Sequence, residues 1–399
     1  MHRYLKILAL AALAFITLIP GFNALVDPYG IWHDLRLTGF NALKPAQATH
    51  QRIAEMGAWA RNPTPNLILG TSRADIGLDP GHPGFAGATF NFAISSQPTE
   101  EARRLLLWAS DRTTLRQVVL ATDFFTANVL LKPPPDFVES NFTDPGSWRL
   151  ALSLDTLDAS LKTVLGQSSH GMHERGDAWD AHGFRLWDEI QNHKEGGHRK
   201  RCVTSEKNYR ETYLPSAAGR RYAFSGNGKS AERDYRELFA RAHQRQIDLH
   251  VLISPSHARQ WTVVDALGLW PVWEEWKRLL VRINAEEARR AGKPAFPLWD
   301  FSGYNSLTTE PVPPLGDSQT QMRWYWESSH YKKELGDLVL DRIFSHSEPG
   351  RSIPADFGVR LTPDSLEPHL AQIRADRQRW RAAFPEDVAE IEALMKGRP

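Results

Sequence analysis

Residues 67–73 read LILGTSR. An apolar run stops at Gly70, and Ser72 follows two positions later. The run lies between RNPTP (61–65) and a glycine, which suits a short buried strand over 66–70. A serine just past a strand-ending glycine sits in a tight turn at the start of the next helix. There its hydroxyl can attack a carbonyl, and its own N–H can point at a developing oxyanion. The same turn also occurs where the hydroxyl only caps a helix, so the rest of the chain has to decide.

Working outward, the rhythm repeats. ATFNFA (88–93), QVVLAT (117–122), DLHVLIS (248–254) and AFPLWDF (295–301) read as four more short strands. Helical stretches are expected over 47–60, after Pro98, and over 230–246, 265–291 and 332–345. Glu100 and Glu101 suit the N-terminus of the helix after Pro98. Alternating strands and helices predict an α/β fold with a mainly parallel sheet. In such a sheet functional groups gather beyond the carboxyl ends of the strands. That rule picks out Ser72 and Arg73, Ser96 in AISSQ (93–97), and Asp123 and Asn128 in ATDFFTAN (121–128). It also picks out His257 in SPSHARQ (254–260), Asp300, and Glu327 and His330 in YWESSHY (325–331).

Ser72 needs a base, and His330 is the best candidate. Glu327 stands three residues before it, a spacing that lets a carboxylate reach the imidazole Nδ1–H. The carboxylate then fixes the tautomer and stabilises the imidazolium, as in a Ser-His-acid triad. His257 is either an ordinary polar loop residue or a substrate-binding group.

The chain has 399 residues, enough for a large core with insertions. A net charge of +1 provides no global field for nucleic acid, so no nucleic-acid partner is expected. Cys202 is the one cysteine, which excludes an intramolecular disulfide and a cysteine metal framework. The fourteen tryptophans supply either bulky packing or aromatic platforms for sugar rings. His170, His173, His182, His193 and His198 match no metal-ligand spacing, so no metal is expected, and the triad chemistry asks for no cofactor.

Residues 7–26, ILALAALAFITLIPGFNALV, carry no charge, and Arg3 and Lys6 precede them. Twenty residues at about 1.5 Å each match one hydrocarbon core. The basic side would hold the short end in the cytoplasm. A cleaved signal peptide competes, but GFNALVDP (21–28) lacks a small-residue cleavage pattern. The expectation is therefore residues 1–27 as a transmembrane anchor in the inner membrane, with the rest of the chain outside the cytoplasm. Residues 28–130 and 231–346 would form the α/β domain. Residues 131–230 begin with KPPPDF (132–137) and read as a large insertion, either structural elaboration or a lid. Residues 347–399 read as a charged helical tail.

GTSR (70–73) and ESSH (327–330), at opposite ends of this alternation, together resemble the SGNH/GDSL-type hydrolase superfamily. The layout is most similar to a membrane-anchored branch that acts on cell-envelope polysaccharide and teichoic acid. The resemblance covers roughly 65–130 and 247–345. It implies a three-layer, flavodoxin-like SGNH fold, with Ser72 as nucleophile, His330 as base and Glu327 in place of the usual Asp. It also implies an esterase or O-acyltransferase that works through an acyl-serine. The acyl group would be acetyl or similarly small and the substrate a cell-envelope glycan, with a membrane-bound acyltransferase as partner. Two departures stand out. Ser96 falls where the family places a glycine, although its backbone N–H can still donate. Asp123 falls where the family places an oxyanion-hole Asn, and an ionised carboxylate cannot donate. Either Asp123 is protonated, or Asn91 or Asn128 takes the role, or Asp123 orients Arg73. The rival reading is a binding or assembly protein of the cell envelope that kept the fold and lost turnover. A phosphodiesterase or nuclease ranks last, since metal-ligand clusters and basic charge are both missing.

Overall fold

The computed structural model describes residues 2–137, 142, 148–167, 178–186, 196–214 and 222–397. His170, His173 and His193 lie outside them. The chain divides into two compact units. One comprises Met1–Pro63, Pro135–Ala181 and Arg185–Trp187, and the other comprises Thr64–Pro134, His182–Phe184 and Asp188–Pro399.

In the first unit the N-terminal stretch is one helix, His2–Val26, with Pro20 inside it. The expected transmembrane span is corrected: no helix among the described residues is long and apolar enough to cross a membrane. The far end of the helix packs within this unit. Asn23 and Val26 are fully buried. Asn23 Nδ2 donates to the carbonyls of Ala151 and Ser153 at 2.9 and 3.3 Å, and its Oδ1 accepts from Ser160 at 2.9 Å. The last turns of the apolar window are thus committed to the helix Leu154–Gly166 and the residues before it. Tyr29, Ile31, Ile53 and Ala159 form a small core in this unit.

The second unit is built on a six-stranded sheet. Strands β1 (Asn66–Leu69), β2 (Thr89–Asn91), β3 (Gln117–Thr122), β4 (Asp248–Ile253), β5 (Leu298–Asp300) and β6 (Val359–Arg360) lie in the order β2-β1-β3-β4-β5-β6. The first five are parallel, and β6 runs antiparallel to β5. The order 2-1-3-4-5 of the parallel strands is a doubly wound order, with its switch point between β1 and β3. Leu67, Ile68, Leu69, Val118 and Val119 are all fully buried, because helices cover both faces, and this explains strands that read as unbroken apolar runs. On one face Ile68, Val119 and Leu252 pack with Leu335, Leu338 and Val339 of the helix Lys333–Phe344. On the other, Thr122 Oγ1 meets the Tyr235 hydroxyl at 2.7 Å, and Trp276 Nε1 donates to the same oxygen at 3.3 Å. Those partners lie on the helices Ala231–Gln244 and Trp270–Ala291. The stretch expected as mostly helix over 265–291 is the helix Trp270–Ala291, and a separate helix, Ala258–Ala266, precedes it.

Two glycines bring the functional end of the sheet together. A Cβ on Gly336 would lie 1.7 Å from the Gly77 carbonyl oxygen, and a Cβ on Gly77 would lie 2.0 Å from the Tyr331 ring. The helix Ser72–Gly77 and the helix Lys333–Phe344 therefore approach backbone to backbone. Gly336→Ala should force them apart. The expected cost is about 1–3 kcal/mol by urea unfolding, the usual range for overpacking, with loss of the contact described next.

Candidate active site

The capping of the helix Ser72–Gly77 frees its first hydroxyl. Thr71, not Ser72, is the N-cap, and its Oγ1 accepts from the Arg73 N–H at 3.3 Å. Ser72 is half-buried, and its Oγ lies 2.8 Å from His330 Nε2. His330 Nδ1 is hydrogen-bonded to Glu327 Oε1. With the Nδ1 proton donated to the carboxylate, Nε2 is left to accept from Ser72. The structure thus brings Ser72, His330 and Glu327 into one chain of hydrogen bonds.

Glu327 and His330 sit on a tight hairpin rather than on a helix. Tyr325 and Tyr331 form a bridge, Trp326 N–H donates to the His330 carbonyl at 3.0 Å, and Lys332 N–H donates to the Trp324 carbonyl at 2.8 Å. The Glu327 carboxylate folds back over the tip, where it accepts from the Ser329 N–H at 2.7 Å and the His330 N–H at 3.0 Å. Burial pushes this carboxyl up. The His330 ring, the Ser205 hydroxyl and the Ser329 amide outweigh that push and hold it at about 2. Glu327 is therefore ionised at neutral pH.

The loop after β4 seats the tip. His257 N–H donates to the Ser328 carbonyl at 3.1 Å, and the Tyr325 hydroxyl donates to the Pro255 carbonyl at 2.7 Å. His257 is itself buried and fully engaged. Its Nδ1 accepts from the Arg259 N–H at 3.2 Å as an N-cap, and its Nε2 donates to the Glu310 carbonyl at 2.6 Å. Burial pulls its pKa down to about 4, so the ring is neutral.

Asp123 has a defined task. It is 1% exposed, its Oδ2 accepts from Thr71 Oγ1 at 2.6 Å, and its Oδ1 accepts from Arg73 Nη1 at 2.5 Å. Of the alternatives left open by the sequence, this geometry is the one in which Asp123 orients Arg73. Arg73 Nε donates to Ser329 Oγ at 3.0 Å and Nη2 to the Tyr209 hydroxyl at 2.9 Å. Burial works against the charge on this guanidinium, and Asp123 more than restores it, so its pKa is raised. Asn91 is spent on structure: Nδ2 donates to the carbonyls of Ala74 and Leu78, and Oδ1 accepts from the Ala93 N–H. Asn128 Oδ1 accepts from the N–H groups of Leu130 and Ala223. Ser96 takes φ +57°, the left-handed region that glycine favours, at the position where the resemblance places a glycine. Its Oγ pairs with the Tyr213 hydroxyl at 2.6 Å.

Tyr209, Tyr213, Ser205 and Ser329 carry no sequence signal beyond nearness of Ser329 to His330. The first three come from the insertion, which no motif connects to the sheet. Among the described residues no group of three or more His, Cys, Asp or Glu is arranged to hold a metal ion. No protein-family model matches the chain, and no curated protein matches it.

Two outcomes follow from this wiring. Asp123→Ala leaves the Arg73 charge buried without its partner and should cost about 3–5 kcal/mol in urea unfolding. His257 is neutral in the folded protein down to about pH 4, whereas an unfolded histidine takes up its proton near pH 6.5. Its stabilising contribution is complete above about pH 6.5 and is lost as pH falls through about 4. His257→Asn keeps an N-cap acceptor and removes the titration. The variant should lose less stability than the wild type between pH 7 and pH 4, by up to roughly 3 kcal/mol.

Proposed function

We propose that this protein is a Ser-His-Glu acyl-transfer enzyme, an esterase or O-acyltransferase that forms an acyl-enzyme on Ser72. The observation that carries the reading is the 2.8 Å contact between Ser72 Oγ and His330 Nε2, with His330 Nδ1 held by Glu327. In the first half-reaction Ser72 Oγ attacks the ester carbonyl while His330 takes its proton. The tetrahedral intermediate then collapses, and His330 returns the proton to the leaving alkoxide. In the second, His330 deprotonates water or an acceptor hydroxyl, which attacks the acyl-serine and regenerates Ser72. Glu327 stays ionised throughout and stabilises the imidazolium. Neither the Ser72 nor the Ser96 N–H has an acceptor among the described residues, and these two are the proposed oxyanion donors. The resemblance to SGNH/GDSL-type hydrolases supports the same chemistry and suggests a small acyl group on a glycan as the substrate class.

One observation favours a second reading, a binding protein of the same fold without turnover. Asp123 stands where the resemblance places an oxyanion Asn, and it is committed to Arg73 and Thr71. Fluorophosphonate labelling and hydrolysis of an activated acetate ester separate the two. For an enzyme, the wild type labels and turns over. Ser72→Ala should lose both, with turnover down on the order of a millionfold, while its thermal midpoint stays near that of the wild type. His330→Ala should label far more slowly. A folded wild-type protein that neither labels nor hydrolyses supports the binding protein, and equal labelling of Ser72→Ala removes Ser72 from the mechanism.

A further inference from the structure

The helix Gly197–Asn208 and the turn Tyr209–Tyr213 that continues it supply no member of the triad, yet they touch the site in several places. Ser205 hydrogen-bonds Glu327. The Tyr209 hydroxyl accepts from Arg73 Nη2 at 2.9 Å and shares a hydrogen bond with Ser329 Oγ at 2.8 Å. Ser329 is the residue whose N–H holds Glu327 Oε2. The Tyr209 ring stands over the Arg73 guanidinium at 5.4 Å and packs edge-on to Phe125 at 5.6 Å. Tyr209 is buried, so its hydroxyl is satisfied by protein groups in a water-poor setting, where a hydrogen-bond network is stiff.

The other side of this segment is bolted to the C-terminal helix Pro385–Lys396. Arg210, next to Tyr209, donates through Nη1 to the carbonyls of Leu394 and Gly397 at 2.6 and 2.8 Å. These belong to the end of a helix, where carbonyls lack intrahelical partners and cations are favoured. At the other end of that helix Asp387 pairs with Arg199 at 2.9 Å and with Arg259. Glu390 pairs with Arg199 at 3.1 Å and with Arg259 at 2.8 Å. Arg259 is fully buried and also holds Glu206 through two hydrogen bonds, at 2.7 and 2.9 Å. One segment is therefore clamped between a terminal helix and the tip of the hairpin that carries the acid and base.

We infer that Tyr209 is a positioning residue for acyl transfer, acting through Ser329 on Glu327, and that the C-terminal helix holds it in place through Arg210. This rests on the acyl-transfer reading of Ser72. The chemistry is unchanged by Tyr209; what it sets is the placement of the hairpin tip, and with it the His330–Glu327 hydrogen bond. Misplacement by a fraction of an ångström to 1 Å is enough to slow a positioned reaction up to a hundredfold.

The test uses the full chain with Tyr209→Phe and Arg210→Gln. Two quantities are measured on the folded proteins: the rate of fluorophosphonate labelling, and the downfield proton resonance of His330 Nδ1–H. Tyr209→Phe keeps the ring and removes only the hydroxyl. It should label roughly ten- to a hundredfold more slowly, with the resonance shifted or broadened. Arg210→Gln, at the far side of the turn, should move both in the same direction by less. A merely structural role would lower the thermal midpoint and leave rate and resonance as in the wild type, and that result in both variants overturns the inference. Should Tyr209→Phe fail to fold, Ser329→Ala replaces it with the same two readings. A wild-type protein that does not label sinks the acyl-transfer reading, while the resonance, which needs no turnover, still decides whether Tyr209 positions the pair.

Discussion

A guanidinium removed from water must have its charge answered on the spot, and Arg73 is 2% exposed. Asp123 answers it from the end of β3, and three more segments meet at the same point. Thr71 ties the turn after β1 to the same carboxylate. Ser329 brings in the hairpin, and Tyr209 brings in the insertion. One buried ion pair thus fixes the relative placement of the Ser72 turn, the hairpin that carries Glu327 and His330, and a segment from elsewhere in the chain. A pair of this kind is weak evidence for net stability, since desolvation offsets much of the attraction. Its value lies in geometry: the planar fork of arginine accepts only one arrangement of its partners.

The close approach of Gly77 and Gly336 is the steric counterpart of that pairing. It lets the Tyr331 ring pack against the helix Ser72–Gly77, fully buried, just after His330. Side chains at either glycine would hold the two helices apart and move His330 away from Ser72. The electrostatic tie and the steric one act on opposite sides of His330: Ser329 is the residue before it and Tyr331 the residue after.

Much of the sheet was legible because parallel strands buried on both faces read as nearly continuous apolar runs. QVVLAT corresponds residue for residue to β3, and the strand expected over 66–70 ends one residue earlier, at Leu69 of β1. β6 was not legible, since two residues at a sheet edge carry no periodicity. The apolar N-terminal stretch misled for a related reason. Hydropathy counts residues without their partners, and Asn23 spends its polar atoms on Ala151, Ser153 and Ser160, more than a hundred residues away in sequence.

By itself, the sequence determined the local chemistry. A glycine ends β1, a hydroxyl follows it, and a carboxylate stands three residues before a histidine; each of these is set by neighbours along the chain. The i, i+3 relation of Glu327 and His330 survives on a hairpin as well as it would on a helix, because the carboxylate caps the backbone between them. Only the tertiary structure decided what Asp123 does, that His257 is sealed as a helix cap, that Asn91 is spent on two carbonyls, and that Tyr209 reaches Arg73. Those assignments depend on which groups burial leaves in need of a partner, and on which distant segment arrives to supply one. Spacing along the chain does not encode either.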